Sequence, residues 1–98
     1  ESLARDSGAA DAWVLSGILA QARGRTAEAE TSQRRALAIA PWNTAAHYNL
    51  ARLEMAAGRP NAALTHWRAF AKYAPNDPDA AAALGIARDI EARGAVVK

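Results

Sequence analysis

Two histidines are the residues of this sequence best suited to metal binding or to proton transfer near neutral pH. His47 and His66 do not stand at a spacing that places two ligands on one helix face, and neither has a carboxylate at a position that would complete a metal site. We therefore expect each histidine to have a structural or solvent-exposed role. The sequence predicts no metal site and no cofactor.

The acidic residues give little support for catalysis. The internal glutamates, which could supply a general acid and a general base, fall in different segments: Glu28, Glu30, Glu54 and Glu91. Gly24 and Gly58 are isolated, so the sequence has no glycine-rich loop to hold a phosphate. Without cysteine, the chain also lacks a thiol nucleophile and disulfides. These patterns predict that the chain is not an enzyme.

The densest basic cluster consists of four arginines: Arg23, Arg25, Arg34 and Arg35. The formal net charge of the chain is only +2, and no aromatic residues are interleaved with these arginines to stack on bases. We favour a solvated face and expect no nucleic-acid partner. A weak nucleic-acid contact through this cluster is the alternative, and a steep fall of affinity with added salt would identify it.

The composition favours a small all-helical domain. Roughly three of every ten residues in the 98-residue chain are alanine, and β-branched residues never alternate as they do in strands. The Ala- and Arg-rich, Lys-poor composition is typical of GC-rich bacterial genomes. No apolar run is long enough to span a bilayer, so we expect a soluble protein of the bacterial cytoplasm or periplasm. The absence of cysteine excludes neither compartment.

One stretch of the sequence is written twice. Gly24-Arg25 returns as Gly58-Arg59, and Ala40-Pro41 returns as Ala74-Pro75, an offset of 34 residues in both cases. These pairs fall at a turn glycine and at a terminal proline, where backbone geometry leaves the least choice of residue. A fixed period of this size indicates a solenoid, in which each unit buries its apolar face against its neighbours.

Apolar residues at three- and four-residue spacing predict helices over 10–23, 27–40, 45–57, 60–74 and 78–94. Gly24 and Gly58 are suited to end the first and third helices in a left-handed conformation. Asn43 and Asp77 are suited to cap the third and fifth helices at their N-termini.

The period also divides the chain into units. Residues 10–43 form unit one, residues 44–77 form unit two, and residues 78–94 form the first helix of a third unit or a capping helix. Leu3-Ala4 stands one period before Leu37-Ala38, so we interpret residues 1–9 as the tail of a preceding repeat that ends at Ser7-Gly8. We expect residues 95–98 to be a frayed tail. Because the sequence begins with Glu1 instead of Met, we expect it to be part of a larger protein.

The order of residues in each unit resembles the tetratricopeptide repeat (TPR) family. In unit one the matching residues are Trp13, Gly17, Ala20, Ala29, Ala36 and Pro41. In unit two they are His47-Tyr48-Asn49-Leu50-Ala51, Gly58, Ala63, Trp67 and Pro75, and Leu84-Gly85 follows at the same phase. The resemblance implies an all-α, right-handed solenoid of antiparallel helix pairs, with about two and a half repeats.

Small residues mark the predicted contact between the two helices of a unit. Gly17, Ala51 and Gly85 lie one period apart, and we expect each to let its helix approach the following helix closely. The sequence departs from the family pattern elsewhere. Ser16 and Gln33 replace large hydrophobes in unit one, while Glu54 replaces an aromatic residue and Phe70 an alanine in unit two.

The resemblance implies a protein–protein interaction module that binds a peptide or protein segment in a concave groove lined by the first helix of each unit. The predicted contact residues are Val14, Ile18, Tyr48, Asn49, Arg52, Met55 and Ile86. Val14, Ile18, Tyr48 and Met55 would supply apolar contacts, and Arg52 would pair with a carboxylate. Trp42, beside a turn, is a further residue that we expect to be partly exposed.

The residues that clamp carboxylates in chaperone-binding TPR domains are not repeated here. Asn49 matches that pattern, but Val14, Ile18, Asp79 and Ala83 occupy the other places, which disfavours a chaperone tail as the partner. Two alternatives to groove binding stay open. The chain could be a structural spacer without a groove ligand, or it could self-associate through its end helices, where apolar residues are thinly covered.

Overall fold

The computed structural model describes the backbone of residues 2–97 and the side chains of residues 8–94. Residues 2–97 form five α-helices and no strand: α1 (Ser2–Ala22), α2 (Thr26–Ile39), α3 (Thr44–Ala56), α4 (Pro60–Tyr73) and α5 (Pro78–Val97). The predicted all-α class is confirmed. None of these helices is both long enough and apolar enough to cross a membrane.

The turn within each unit is the same motif. Gly24 has φ of 77° and Gly58 has φ of 78°, a conformation that costs a residue with a Cβ atom but not glycine. The amide of Arg25 donates to the Ala20 carbonyl at 2.9 Å, and the amide of Arg59 donates to the Glu54 carbonyl at 2.8 Å. These bonds satisfy carbonyl groups at the ends of α1 and α3. Both predicted glycine turns are therefore confirmed.

The predicted caps are also in place. Asn43 Oδ1 accepts a hydrogen bond from the amide of Ala46 at 3.0 Å, and Asp77 Oδ1 accepts one from the amide of Asp79 at 2.8 Å. The Asn43 side chain also donates to Asp11 Oδ1 at 3.0 Å, which ties the start of α3 to α1. Each of these caps satisfies an amide that has no partner within its own helix.

Two predicted helix ends are wrong. Ser7-Gly8 does not end a helix, because α1 runs from Ser2 to Ala22 without a break, and α5 continues past Gly94 to Val97. Glycine inside a helix costs only about 1 kcal/mol relative to alanine, and neither glycine has a positive φ or a following proline to stop the helix. Glu1 and Lys98, at the ends of the two predicted tails, lie outside the described residues.

The helices pack in chain order, each against the next, and α1 also approaches α3. In the described residues, the Cα atoms of α2 and α4 nowhere come within 8 Å of each other. The first helices of the two units are therefore closer together than the second helices. We use the term inner side for the faces of α1, α3 and α5, which are the first helices of their units by sequence phase; among the described residues, α5 packs on α4 and its Cα atoms do not come within 8 Å of those of α3.

The three small residues predicted at the helix contacts differ in how closely a second helix approaches them. A Cβ atom on Gly17 would lie 2.4 Å from Gln33 Nε2 and 3.1 Å from the Ala29 carbonyl oxygen, so the predicted close approach of α1 to α2 is confirmed. Ala51 is fully buried between α3 and α4. Gly85 has nothing within 4 Å of its Cβ position. The prediction for Gly85 was wrong because no described helix packs on that side of α5.

Candidate functional site

Six of the predicted contact residues have side chains that are at least partly accessible: Ile18, Tyr48, Asn49, Arg52, Met55 and Ile86. We call this set the inner face. Positions 18, 52 and 86 are separated by one period, so α1, α3 and α5 each contribute a residue of the same phase. Ile18 and Met55 are exposed large apolar side chains.

Tyr48 is the most firmly held residue of the inner face. Its ring meets the Trp67 ring edge to face, with centroids 5.6 Å apart, and the Phe70 ring at 5.3 Å. Ile86 packs against the same core cluster. These contacts fix the half-buried ring of Tyr48 before any partner arrives.

Arg52 lies over the accessible part of that ring. Its guanidinium carbon is 5.7 Å from the Tyr48 ring centroid, within the range of a cation–π contact. Arg52 is exposed and forms no ion pair with the residues that the structure describes. Its N–H donors are therefore free to pair with an incoming carboxylate.

Val14 does not belong to the inner face, and its prediction as an apolar contact is corrected. Its side chain is only 6% exposed and packs in a cluster with alanines of α2 and α3. Ala36, Ala40 and Ala46 are small enough for these helices to approach α1 closely, which encloses the short valine side chain. Tyr48 stands at the same phase in unit two, but its longer side chain reaches the surface.

The structure brings together two histidines that the sequence analysis treated as separate. His47 Nδ1 lies 3.0 Å from His66 Nδ1, and His47 Nε2 lies 2.7 Å from the Pro41 carbonyl oxygen. Because a carbonyl only accepts, His47 carries its hydrogen on Nε2, and His66 Nδ1 donates to His47 Nδ1. His66 Nε2 then faces Glu54 Oε1 at 3.7 Å, and Arg34 reaches the other oxygen of Glu54 at 3.4 Å.

Burial controls the protonation of this network. Desolvation lowers the pKa of His47, and it lowers the pKa of His66 to about 4 with a further contribution from the neighbouring His47 and Arg34. Burial raises the pKa of the Glu54 carboxyl, and Arg34 opposes that shift. Both imidazoles are therefore neutral at pH 7. The described residues hold no group of three potential ligands that could bind a metal ion.

The histidine pair has a counterpart in unit one. His47 and His66 stand one period after Trp13 and Ser32, which line one cavity between α1 and α2. Residues at these two phases therefore face each other across a unit. Treating the histidines as positions on one helix missed this relation, because they lie on α3 and α4.

The arginine cluster is divided among several contacts. Arg34 pairs with Glu54 at 3.4 Å and with Glu30 at 3.8 Å. Arg25 lies 3.7 Å from Glu28, and the guanidinium carbon of Arg35 is 5.1 Å from the Trp13 ring centroid. Arg25 and Arg34 therefore lie next to carboxylates, whereas Arg23 and Arg35 line the same cavity between α1 and α2. Trp42 is partly exposed beside its turn, as predicted.

Comparison with known proteins agrees with the period, the turns and the helix pairing described above. A family model described as tetratricopeptide repeat matches residues 20–86, which is more than half of the chain. Comparison with curated proteins and with solved structures finds no match. TPR repeats are generally protein–protein interaction modules. The chain belongs to the tetratricopeptide repeat family.

Proposed function

We propose that this chain binds a peptide or protein segment on its inner face, with a carboxylate of the partner on Arg52. The observation that carries this proposal is the position of Arg52, held over the Tyr48 ring without an acidic partner among the described residues. A cation that is already oriented loses less side-chain entropy when it binds. An accessible, preorganised guanidinium is suited to bidentate pairing with a carboxylate.

Apolar contacts beside Arg52 support the same proposal. Ile18 and Met55 are exposed on α1 and α3, and Ile86 is partly accessible on α5. Arginine, tyrosine and methionine are enriched at protein interfaces. A segment that crosses the inner face could place apolar side chains on Ile18 and Met55 while an acidic residue reaches Arg52. The half-buried Asn49 amide would supply a hydrogen bond to the partner backbone.

Arg52→Glu combined with Met55→Asp is the sharpest test, because both side chains are exposed. Tyr48→Ala would remove core contacts with Trp67 and Phe70, so it would confuse binding with stability. Peptides selected from a displayed random library on the wild-type domain should bind the double variant at least about tenfold more weakly. Affinity is measured by titration calorimetry.

Two controls separate a specific contact from a general effect. Leu84→Asp with Arg88→Glu makes the same kinds of change on exposed residues of α5 outside the inner face, and it should leave the affinity unchanged. Replacing the acidic residue of the selected peptide by lysine should recover part of the affinity for the Arg52→Glu variant. Equal affinity for the wild type and the Arg52→Glu/Met55→Asp variant would contradict the proposal.

A further inference from the structure

The cavity between α1 and α2 has a counterpart in unit two that a neighbouring helix covers in part. We call it the first groove; it has a volume of about 660 Å³ and is lined by residues including Trp13, Ser16, Leu19, Arg23, Glu28 and Arg35. The positions one period later lie between α3 and α4: His47, Leu50, Leu53, Ala57, Ala62 and Ala69. We call these positions the second groove. Helix α2 packs against α3, and its Ala29 contacts the second groove at Leu53.

Comparing the leucine of each groove shows how much the covering helix buries. Leu19 in the first groove is 50% exposed, whereas Leu53, its equivalent in the second groove, is 2% exposed. Leu53 is buried in a cluster with Ala29 of α2 and Ala20 of α1. The first groove therefore presents an apolar floor that has the form of a helix-binding site, and no described helix covers it.

The charges of the two grooves differ. Arg23 and Arg35 line the first groove at positions where the second groove has Ala57 and Ala69. In the described residues, neither of these arginines forms an ion pair, and Arg35 rests on the Trp13 ring. Glu28 also lines the first groove, but its carboxylate lies 3.7 Å from Arg25.

The second groove shows how floor and occupant are matched. Its floor carries the buried carboxylate of Glu54, and the occupant α2 places Arg34 on that carboxylate. In the first groove the residue at the phase of Glu54 is Ala20, and two arginines, Arg23 and Arg35, line the groove with the single carboxylate of Glu28. An occupant of the first groove would therefore need carboxylates where α2 carries arginines.

We propose that the first groove is the docking site for an amphipathic α-helix of a partner protein, with an apolar stripe and acidic residues beside it. The helix lies on α1 as α2 lies on α3. Its apolar stripe covers Trp13 and Leu19, and its carboxylates pair with Arg23 and Arg35. A second copy of this chain fits less well through the open side of α5, because Leu84 there is accompanied by Arg88, which would meet the groove arginines.

The test uses two stapled helical peptides that copy α2 (Thr26–Ile39) and differ only in charge. The acidic peptide carries Arg34→Glu and Arg35→Glu, and the matched peptide keeps both arginines. The staple holds each peptide helical, since isolated helices of this length are marginal in water. Fluorescence anisotropy should show that the acidic peptide binds the wild-type domain about tenfold or more tightly than the matched peptide.

Variants of the domain locate that binding. Leu19→Asp in the domain should weaken binding of the acidic peptide about tenfold or more. Arg23→Glu with Arg35→Glu in the domain should reverse the preference between the two peptides. Leu15→Asp is the matched control, because Leu15 is an exposed leucine of α1 that does not line the groove. Its affinity for the acidic peptide should equal that of the wild type. A thermal melt confirms that each variant is folded.

Three outcomes would overturn the proposal. The first is absence of binding by the acidic peptide, and the second is binding that Leu15→Asp weakens as much as Leu19→Asp does. The third is a concentration-dependent dimer in sedimentation that both Leu19→Asp and Leu84→Asp dissociate, which would make a second copy the occupant. Because the Arg52→Glu/Met55→Asp variant leaves the first groove intact, it should bind the acidic peptide as the wild type does.

Discussion

Units one and two share their turns and helix phases but not their cores. Unit two buries Leu50, Trp67 and Phe70, whereas unit one has Ser16, Gln33 and Ala36 at the same phases. The leucines at positions 19 and 53 differ only in what covers them, since α2 contributes to the burial of the second. In this solenoid, the burial of a side chain depends on the neighbouring unit as much as on the residue type.

The polar atoms in the two cores also differ. Gln33 is fully buried and its Nε2 donates to the Val14 carbonyl at 3.2 Å, but its Oε1 has no partner among the described residues. Trp67, at the same phase, fills the site with an aromatic ring and leaves its Nε1 without a partner. The missing Cβ of Gly17 gives the Gln33 amide its space. Unit one thus accommodates a polar side chain through a glycine.

The largest expected effect tests whether burial by a neighbouring helix determines how much a leucine contributes to the free energy of unfolding. Leu53→Ala should lower the free energy of unfolding by about 2–5 kcal/mol, because the side chain is buried on all sides. Leu19→Ala makes the same chemical change at the same phase and should cost less than about 1 kcal/mol, because Leu19 is half exposed. Urea denaturation measures both. Equal losses would mean that unit one is closed in solution.

This comparison explains what could be predicted from the sequence. The turns at Gly24 and Gly58 and the cap at Asn43 depend on local backbone chemistry, so residue types alone identified them. The exposure of Val14 and the space at Gly85 depend on which helix lies next to them. Period and phase place residues on a helix face but do not state whether that face is covered.

The features of the candidate site also divide into those that the sequence could predict and those that it could not. The phase relation among Ile18, Arg52 and Ile86 follows from the period and could be predicted. The cation–π contact between Arg52 and Tyr48 and the pairing of His47 with His66 required three-dimensional distances. Side-chain contacts across helices depend on rotamers and helix separation, which a repeat pattern leaves open.

Alanine substitutions at two glycines of the same phase should change the free energy of unfolding in opposite directions. Gly17→Ala should destabilise the protein by about 1–3 kcal/mol, because its Cβ would press on Gln33 and on the Ala29 carbonyl oxygen. Gly85→Ala should instead stabilise it by about 0.5–1 kcal/mol, since alanine favours the helix and meets no atom there. Thermal and urea denaturation of the two variants would measure the difference. Destabilisation by Gly85→Ala would show that another segment packs against that side of α5.

The smallest effect concerns the histidine network, which unit one lacks. Because burial lowers the pKa of His66 to about 4, the unfolded chain binds more protons than the folded chain between that pH and the ordinary histidine range. The free energy of unfolding should therefore fall as the pH falls, and by about 1 kcal/mol between pH 7 and pH 5.5. The raised pKa of Glu54 acts in the opposite direction and reduces this loss.

His66→Ser tests whether the histidine pair causes this pH dependence of stability. Serine is chosen because it stands at the equivalent position 32 of unit one. The substitution removes one titrating group and the neighbour that helps to isolate His47 from water, so the pH dependence of stability should become flatter. The measurement is the urea midpoint at pH 7 and at pH 5.5 for both proteins, and the slope is compared instead of the absolute stability. If the variant loses as much stability on acidification as the wild type, the pH dependence arises outside the histidine pair. A flatter slope would assign it to the α3/α4 contact that distinguishes unit two.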